Sequence, residues 1–210
     1  MTTVDELEVY ADIACPFTHV GLRRFVAIRE AKQEAGPRLR VRAWPLELVN
    51  GQPLAGSALA PKIEALRASV APELFGGFDA DRFVSSSLPA LAAEAAAYRT
   101  GVEIGERFSL AVRTALFEEH MDVTDQAVLD QLRAAVGAAR PNEADEEQVR
   151  ADYASGRRRG VNGSPHFFTP NGHSYFCPSL DIGHVDGRIE VAFDGDGFTR
   201  FTNSVWPSGR

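Results

Sequence analysis

The feature that most constrains this chain is the abrupt change at Ala14-Cys15-Pro16. Before it, Leu7-Glu8-Val9-Tyr10-Ala11-Asp12-Ile13 alternates at period two, the pattern of a strand with one face in a core. After it, Val20, Phe25 and Ile28 fall on one helical face in a segment running from Phe17 toward Gly36-Pro37. A proline is tolerated in the first turn of a helix, where its missing N–H has no partner to lose, and it pushes its predecessor into an extended conformation. Cys15 is thereby assigned to a strand-to-helix junction. Leu39 to Trp44 alternates again, so the opening reads strand, helix, strand, which usually builds a parallel pair with a right-handed crossover.

From Pro61 to Tyr153 the periodicity becomes helical, with segments at Leu88 to Tyr98, Val102 to Glu119, Asp125 to Ala139 and Glu143 to Ala154. Gly76-Gly77, Gly101, Asp122 and Pro141 separate them. After Gly160 the strand signal returns: Phe167-Phe168-Thr169, a turn at Pro170-Asn171-Gly172, then Ser174-Tyr175-Phe176 read as a hairpin. The simplest α/β topology is a sheet domain made of residues 1–60 and 157–210, with an inserted helical domain at 61–156. The tail from Gly187 to Trp206 alternates and is interrupted by glycine, leaving an extra strand pair, a dimer contact or an irregular cover all open, with Trp206 as its anchor.

Bulk properties narrow the function. Twenty-two basic against 29 acidic residues give a net charge of −7, which repels a polyanion, so no nucleic-acid partner is expected. The start of the chain shows no basic region followed by a continuous apolar run, and no run of eighteen apolar residues occurs anywhere; a cytoplasmic protein without membrane contact is expected. Two cysteines without an export signal argue against a structural disulfide framework, so each thiol is judged individually.

At a strand-to-helix junction, unpaired backbone N–H groups and the positive end of the helix dipole favour a thiolate, the nucleophilic form of cysteine. The competing reading of Cys15 is a buried, inert core residue. Pro16 weighs against that reading because it fixes the thiol on the first turn.

The segment Asp12-Ile13-Ala14-Cys15-Pro16-Phe17-Thr18-His19-Val20-Gly21 resembles the active-site segment of the DsbA-like thioredoxin proteins, particularly the FrnE-like and 2-hydroxychromene-2-carboxylate isomerase branches. Gly160-Val161-Asn162-Gly163-Ser164-Pro165-His166-Phe167 resembles the loop of that family in which a cis proline faces the active cysteine. Ser86-Ser87-Leu88-Pro89-Ala90-Leu91 and Ala115-Leu116-Phe117-Glu118 resemble its helical insertion, so the likeness spans roughly residues 7 to 182. The resemblance implies a thioredoxin-like fold with a helical insertion domain, and Pro165 as the cis proline. It also implies a closing helix at the C-terminus, which the tail pattern does not display. One departure matters: Thr18 stands where a dithiol member carries its second cysteine, so the Cys-x-x-Cys pair is absent. What remains is monothiol chemistry, by mixed disulfide or transient covalent adduct.

The candidate catalytic residues are therefore Cys15, Thr18 and Pro165. Thr18 is read either as a hydroxyl donor to the Cys15 sulfur or as a residue that caps or packs in the first turn. Pro16, Phe17, His19, Ser164 and Cys177 are candidate substrate-binding residues. The Ser164 backbone is placed to pair with an extended peptide or a glutathione-like ligand. His19, one helical turn past Cys15, is read as a charge near the thiolate or, more ordinarily, as an exposed or packed ring. If the hairpin pairs as expected, Cys177 returns to the level of Ser164-Pro165 as a distant resolving thiol; otherwise it is a half-buried strand-end residue. Arg157-Arg158-Arg159 is expected as a solvated patch, with an anchor for ligand carboxylates as the alternative.

His166, His173, Cys177 and His184 match no tight ligand spacing, and no metal is expected. No tightly bound cofactor is expected either; glutathione or another low-molecular-weight thiol would serve as co-substrate. The expected partner is a small thiol or a disulfide-containing substrate, with a homodimer left open. Three functions remain: a thiol-dependent oxidoreductase or isomerase, a kappa-like glutathione transferase, and a redox-inactive thioredoxin-like binding module.

Overall fold

The structure is a computed structural model that describes residues 6–32 and 36–206. Its first strand, β1 (Glu6–Ala11), is followed by α1 (Pro16–Lys32) and β2 (Arg38–Ala43), and the two strands pair in parallel from Glu6 opposite Arg38 to Ala11 opposite Ala43. β1 ends earlier than its alternation suggests. The Asp12 carboxylate accepts a hydrogen bond from the Ala14 N–H at 2.7 Å, which turns the chain out of the sheet and into α1.

Five helices follow: α2 (Leu46–Asn50), α3 (Gly56–Ser69), α4 (Leu88–Thr100), α5 (Val102–Phe117) and α6 (Gln126–Val136). α7 (Glu143–Arg158) then leads back to β3 (His166–Phe168) and β4 (Ser174–Phe176). The sheet order is β2-β1-β3-β4, with β3 antiparallel to β1 and β4 antiparallel to β3. Alternation along β1 decides its two faces. Leu7, Val9 and Ala11 meet Leu22 and Phe25 of α1, while Tyr10 meets Trp44, Val161 and Tyr153 of α7.

The helical block is not a separate globule. Ile13, Ala14, Val20 and Ala43 share one buried cluster with Leu59, Leu66, Leu91, Phe108 and Val112 of the block. Glu106 of α5 reinforces the junction, accepting from both Arg29 Nη atoms of α1 (2.6 and 2.7 Å), Arg38 Nη1 (2.8 Å) and the Leu39 N–H (2.7 Å).

Both expected domain boundaries fall inside helices. α3 starts at Gly56 and carries Pro61 inside it, so Pro61 marks the second turn of a helix instead of the start of a block. Gly56 lies so close to the Ala80 backbone that a Cβ would sit 2.2 Å from the Ala80 oxygen. At the other end α7 runs to Arg158, through Gly156, which lies against the Trp44 ring.

The tail resolves into a strand pair and a helix. β5 (Leu180–Val185) and β6 (Arg188–Phe193) form a separate antiparallel hairpin. α8 (Gly195–Val205) then closes the α1 face of the sheet with Phe198, Phe201 and Val205. Asp194 caps α8 by accepting from the Gly197 N–H at 2.7 Å. Trp206 stacks on Phe25, with ring centroids 5.3 Å apart.

Candidate active site

Three segments meet at the N-terminus of α1. Cys15 immediately precedes the helix, and the His19 N–H donates back to the Cys15 carbonyl at 3.2 Å. The loop from Gly160 to Pro165 arrives from α7, its shape held by the Asn162 N–H donating to His166 Nδ1 at 3.1 Å. The Ser164–Pro165 peptide bond is cis. Pro165 lies on α1, where a Cβ at Gly21 would sit 3.4 Å from the proline ring.

Ser164 is the centre of the arrangement. Its carbonyl oxygen accepts from Cys15 Sγ at 3.0 Å and from Cys177 Sγ at 3.8 Å. Its hydroxyl lies 2.7 Å from the Thr18 hydroxyl and accepts from the Asp12 N–H at 2.9 Å. Thr18 thus pins the proline loop instead of donating to the Cys15 sulfur, because its short side chain is fully buried against the Ser164 hydroxyl.

The sulfurs are enclosed: Cys15 is 3% exposed and Cys177 5%. Pro16 is buried, Phe17 is half-buried against the helical block, and Phe176 on the edge strand β4 is 47% exposed beside the loop. A Cβ at Gly163 would collide with the Phe176 ring at 2.7 Å. The cleft lined by Leu48, Leu88 and Val149 and the one lined by Pro61, Ala65 and His184 contain none of the residues around Cys15. Reaction at Cys15 therefore requires its sulfur to become more exposed.

His19 is a packed ring, one of the readings its position allowed. Its ring is 1% exposed and packs on Phe75 and Phe117, with Nε2 2.7 Å from Glu118 Oε1. Burial lowers its proton affinity, leaving a neutral ring that donates to Glu118. Burial pushes the Glu118 carboxylate upward, but His19 and the Phe75 and Gly76 N–H groups outweigh it and hold the group at about 2. The pair fastens α1 to the helical block and brings no positive charge to the thiol.

Arg157, Arg158 and Arg159 are all exposed, as expected of a solvated patch, and Arg159 pairs with Glu8 and lies over the Phe168 ring at 4.0 Å. Among the described residues, no group of three or more His, Cys, Asp or Glu side chains is arranged to hold a metal ion, and no helix is long and apolar enough to cross a membrane.

Asp12 is a site residue that the motif contained but its chemistry did not announce. Its buried carboxylate accepts from the Ala14 N–H (2.7 Å), the Leu46 N–H (2.5 Å) and the Ser87 hydroxyl (3.0 Å). Burial outweighs these bonds and pushes the group up to about 6. Arg113, paired with Glu94 at 2.7 Å inside the block, reaches the Asp12 carbonyl at 3.3 Å. The turn that carries Cys15 is therefore held from below by the helical block.

Comparisons with known proteins bear on this arrangement. A family model described as DSBA-like thioredoxin domain matches residues 6–189. Among solved structures, a provisionally assigned protein disulfide isomerase from Nitrosomonas europaea aligns with TM-score 0.66 and 13% identity, over 97% of this chain and 98% of that one. The cytosolic disulfide reductase DsbM from Pseudomonas aeruginosa aligns with TM-score 0.63 and 18% identity, over 97% and 100% of the two chains. DsbM is also solved with GSH. A 2-hydroxychromene-2-carboxylate isomerase aligns with TM-score 0.60 and 14% identity, over 81% and 88%. At such identities the likeness to these structures is one of fold. The comparison with curated proteins gave no match.

Proposed function

The chain belongs to the DSBA-like thioredoxin domain family, and from that premise we propose that it is a thiol-dependent oxidoreductase or isomerase working through Cys15, with glutathione or a similar small thiol as co-substrate. The observation that carries this reading is the Cys15 sulfur at the mouth of α1, 3.0 Å from the carbonyl that precedes the cis proline. The Cys15 thiol first gives up its proton to solvent. The sulfur then attacks a disulfide R–S–S–R′, forming Cys15–S–S–R while R′–S⁻ leaves and takes up a proton. One glutathione thiolate releases R–SH and stays on Cys15; a second regenerates the Cys15 thiol and leaves as oxidised glutathione. The two electrons that reduce the substrate come from the two glutathiones.

Thr18 stands where a second helix cysteine would act and is committed to Ser164, which supports an external thiol as the second reactant. The Ser164 backbone, freed when the sulfur swings out, is the group offered to an extended ligand. The fold shared with DsbM, a cytosolic disulfide reductase solved with GSH, supports the choice of small thiol and a cytoplasmic setting. The decisive assay is glutathione-dependent reduction of a small disulfide. Wild type turns over and Cys15→Ser does not. Conjugation of glutathione to an electrophile that survives Cys15→Ser favours the transferase reading. No turnover in either assay favours the binding module.

A further inference from the structure

The mixed-disulfide reading leaves one buried nucleophile unused. Cys177 lies one residue beyond β4, where the β3–β4 register sets it opposite Pro165: His166 pairs with Phe176, and the Cys177 N–H donates to the Pro165 carbonyl at 3.0 Å. Tyr175, two residues earlier, packs into the core beneath α1 and α8, so strand alternation gives Cys177 the face on which α1 lies. The backbone of Cys177 is left-handed, with φ 43°, a region seldom occupied by residues other than glycine, and the chain turns there. Two sulfurs consequently converge on one oxygen, Cys15 Sγ at 3.0 Å and Cys177 Sγ at 3.8 Å from the Ser164 carbonyl. They are no farther apart than those two contacts laid end to end. The helix position that could have supplied a second sulfur holds Thr18, already bonded to Ser164.

Resting on the proposed chemistry at Cys15, we infer that Cys177 is the resolving thiol of this site and closes a Cys15–Cys177 disulfide across the Ser164–Pro165 loop when small thiol is scarce. In that step the Cys177 thiol gives its proton to solvent and its thiolate attacks the Cys15 sulfur of Cys15–S–S–R. The bond to R breaks, and R–S⁻ leaves and takes up a proton. Two glutathiones reopen the pair. The first forms a mixed disulfide with one cysteine and frees the other; the second restores the remaining thiol and leaves as oxidised glutathione. Burial, with Cys15 nearby, pushes the Cys177 thiol well up, so it waits protonated at neutral pH and attacks slowly. Abundant glutathione wins that competition.

The test treats reduced wild-type protein with one equivalent of oxidised glutathione, followed by acid quenching, alkylation under denaturing conditions, digestion and peptide mass mapping. The expected sequence is glutathione on Cys15 first and a linked Cys15–Cys177 peptide later, with Cys177→Ser and Cys177→Ala both stopping at the adduct. A wild-type protein that keeps the Cys15 adduct as long as both variants, with no linked peptide, overturns the inference and leaves the Cys15 chemistry standing. Absence of an adduct on Cys15 in all three overturns both. The linked peptide is read from the wild type itself, so poor folding of a variant does not obscure it.

Discussion

The hydroxyls of Thr18 and Ser164 lie 2.7 Å apart, joining the first turn of α1 to a loop 146 residues later in the chain. That bond assigns Thr18 to holding the loop and leaves the Ser164 carbonyl, not a hydroxyl, as the partner of the Cys15 sulfur. Thr18→Val keeps the shape and removes the bond, leaving a buried hydroxyl with one fewer partner. A loss of about 1–2 kcal/mol in denaturant unfolding is expected. An unchanged midpoint would show that the loop is held by other contacts.

Thr18→Cys restores a sulfur at the position of the missing helix cysteine. Oxidation of this variant is expected to give a Cys15 linkage to residue 18 and to raise insulin reduction above the wild-type level. Peptide mapping after mild oxidation and the insulin assay check it together.

Asp12 makes stability depend on pH in a defined direction. Its folded value of about 6 lies above the ordinary aspartate value of 3.8, so the folded chain holds the proton more tightly than the unfolded chain. The stabilisation this brings is complete below pH about 4 and is lost as pH rises through about 6, on the order of 3 kcal/mol in all. Asp12→Asn should flatten this part of the curve of unfolding free energy against pH. A slope that survives the substitution would assign it to other groups.

Glu106 binds two arginines and one backbone N–H at the seam between sheet and helical block. Glu106→Ala leaves Arg29, which is nearly buried, without its carboxylate. A loss of roughly 3–5 kcal/mol is expected, measured by urea or thermal unfolding. A loss below about 1 kcal/mol would mean that the seam is held by its apolar contacts alone.

What the sequence disclosed follows from how local each signal is. The Cys15-Pro16 junction, β2 and the Phe167–Tyr175 hairpin rest on alternation and turn chemistry within a few residues, and they appear where those patterns lie. The bonds that build the site do not. Asp12 meets Leu46 and Ser87, His19 meets Glu118, and Thr18 meets Ser164, all between segments whose separation carries no periodicity. His19 shares a helical face with Cys15 by spacing, yet a facing carboxylate 99 residues away captures its ring. The closing helix was not read from the tail: Phe198, Phe201 and Val205 recur at helical spacing behind an Asp194 cap, but Gly195 and Gly197 in its first turn blur the pattern.

The most direct test is to find where the substrate's sulfur resides during turnover. Acid quenching of wild-type protein reducing a small disulfide with glutathione, followed by peptide mass mapping, should recover a mixed disulfide on Cys15, and Cys15→Ser should yield neither adduct nor product. Product formation undiminished in Cys15→Ser, or an adduct confined to Cys177, would contradict the account.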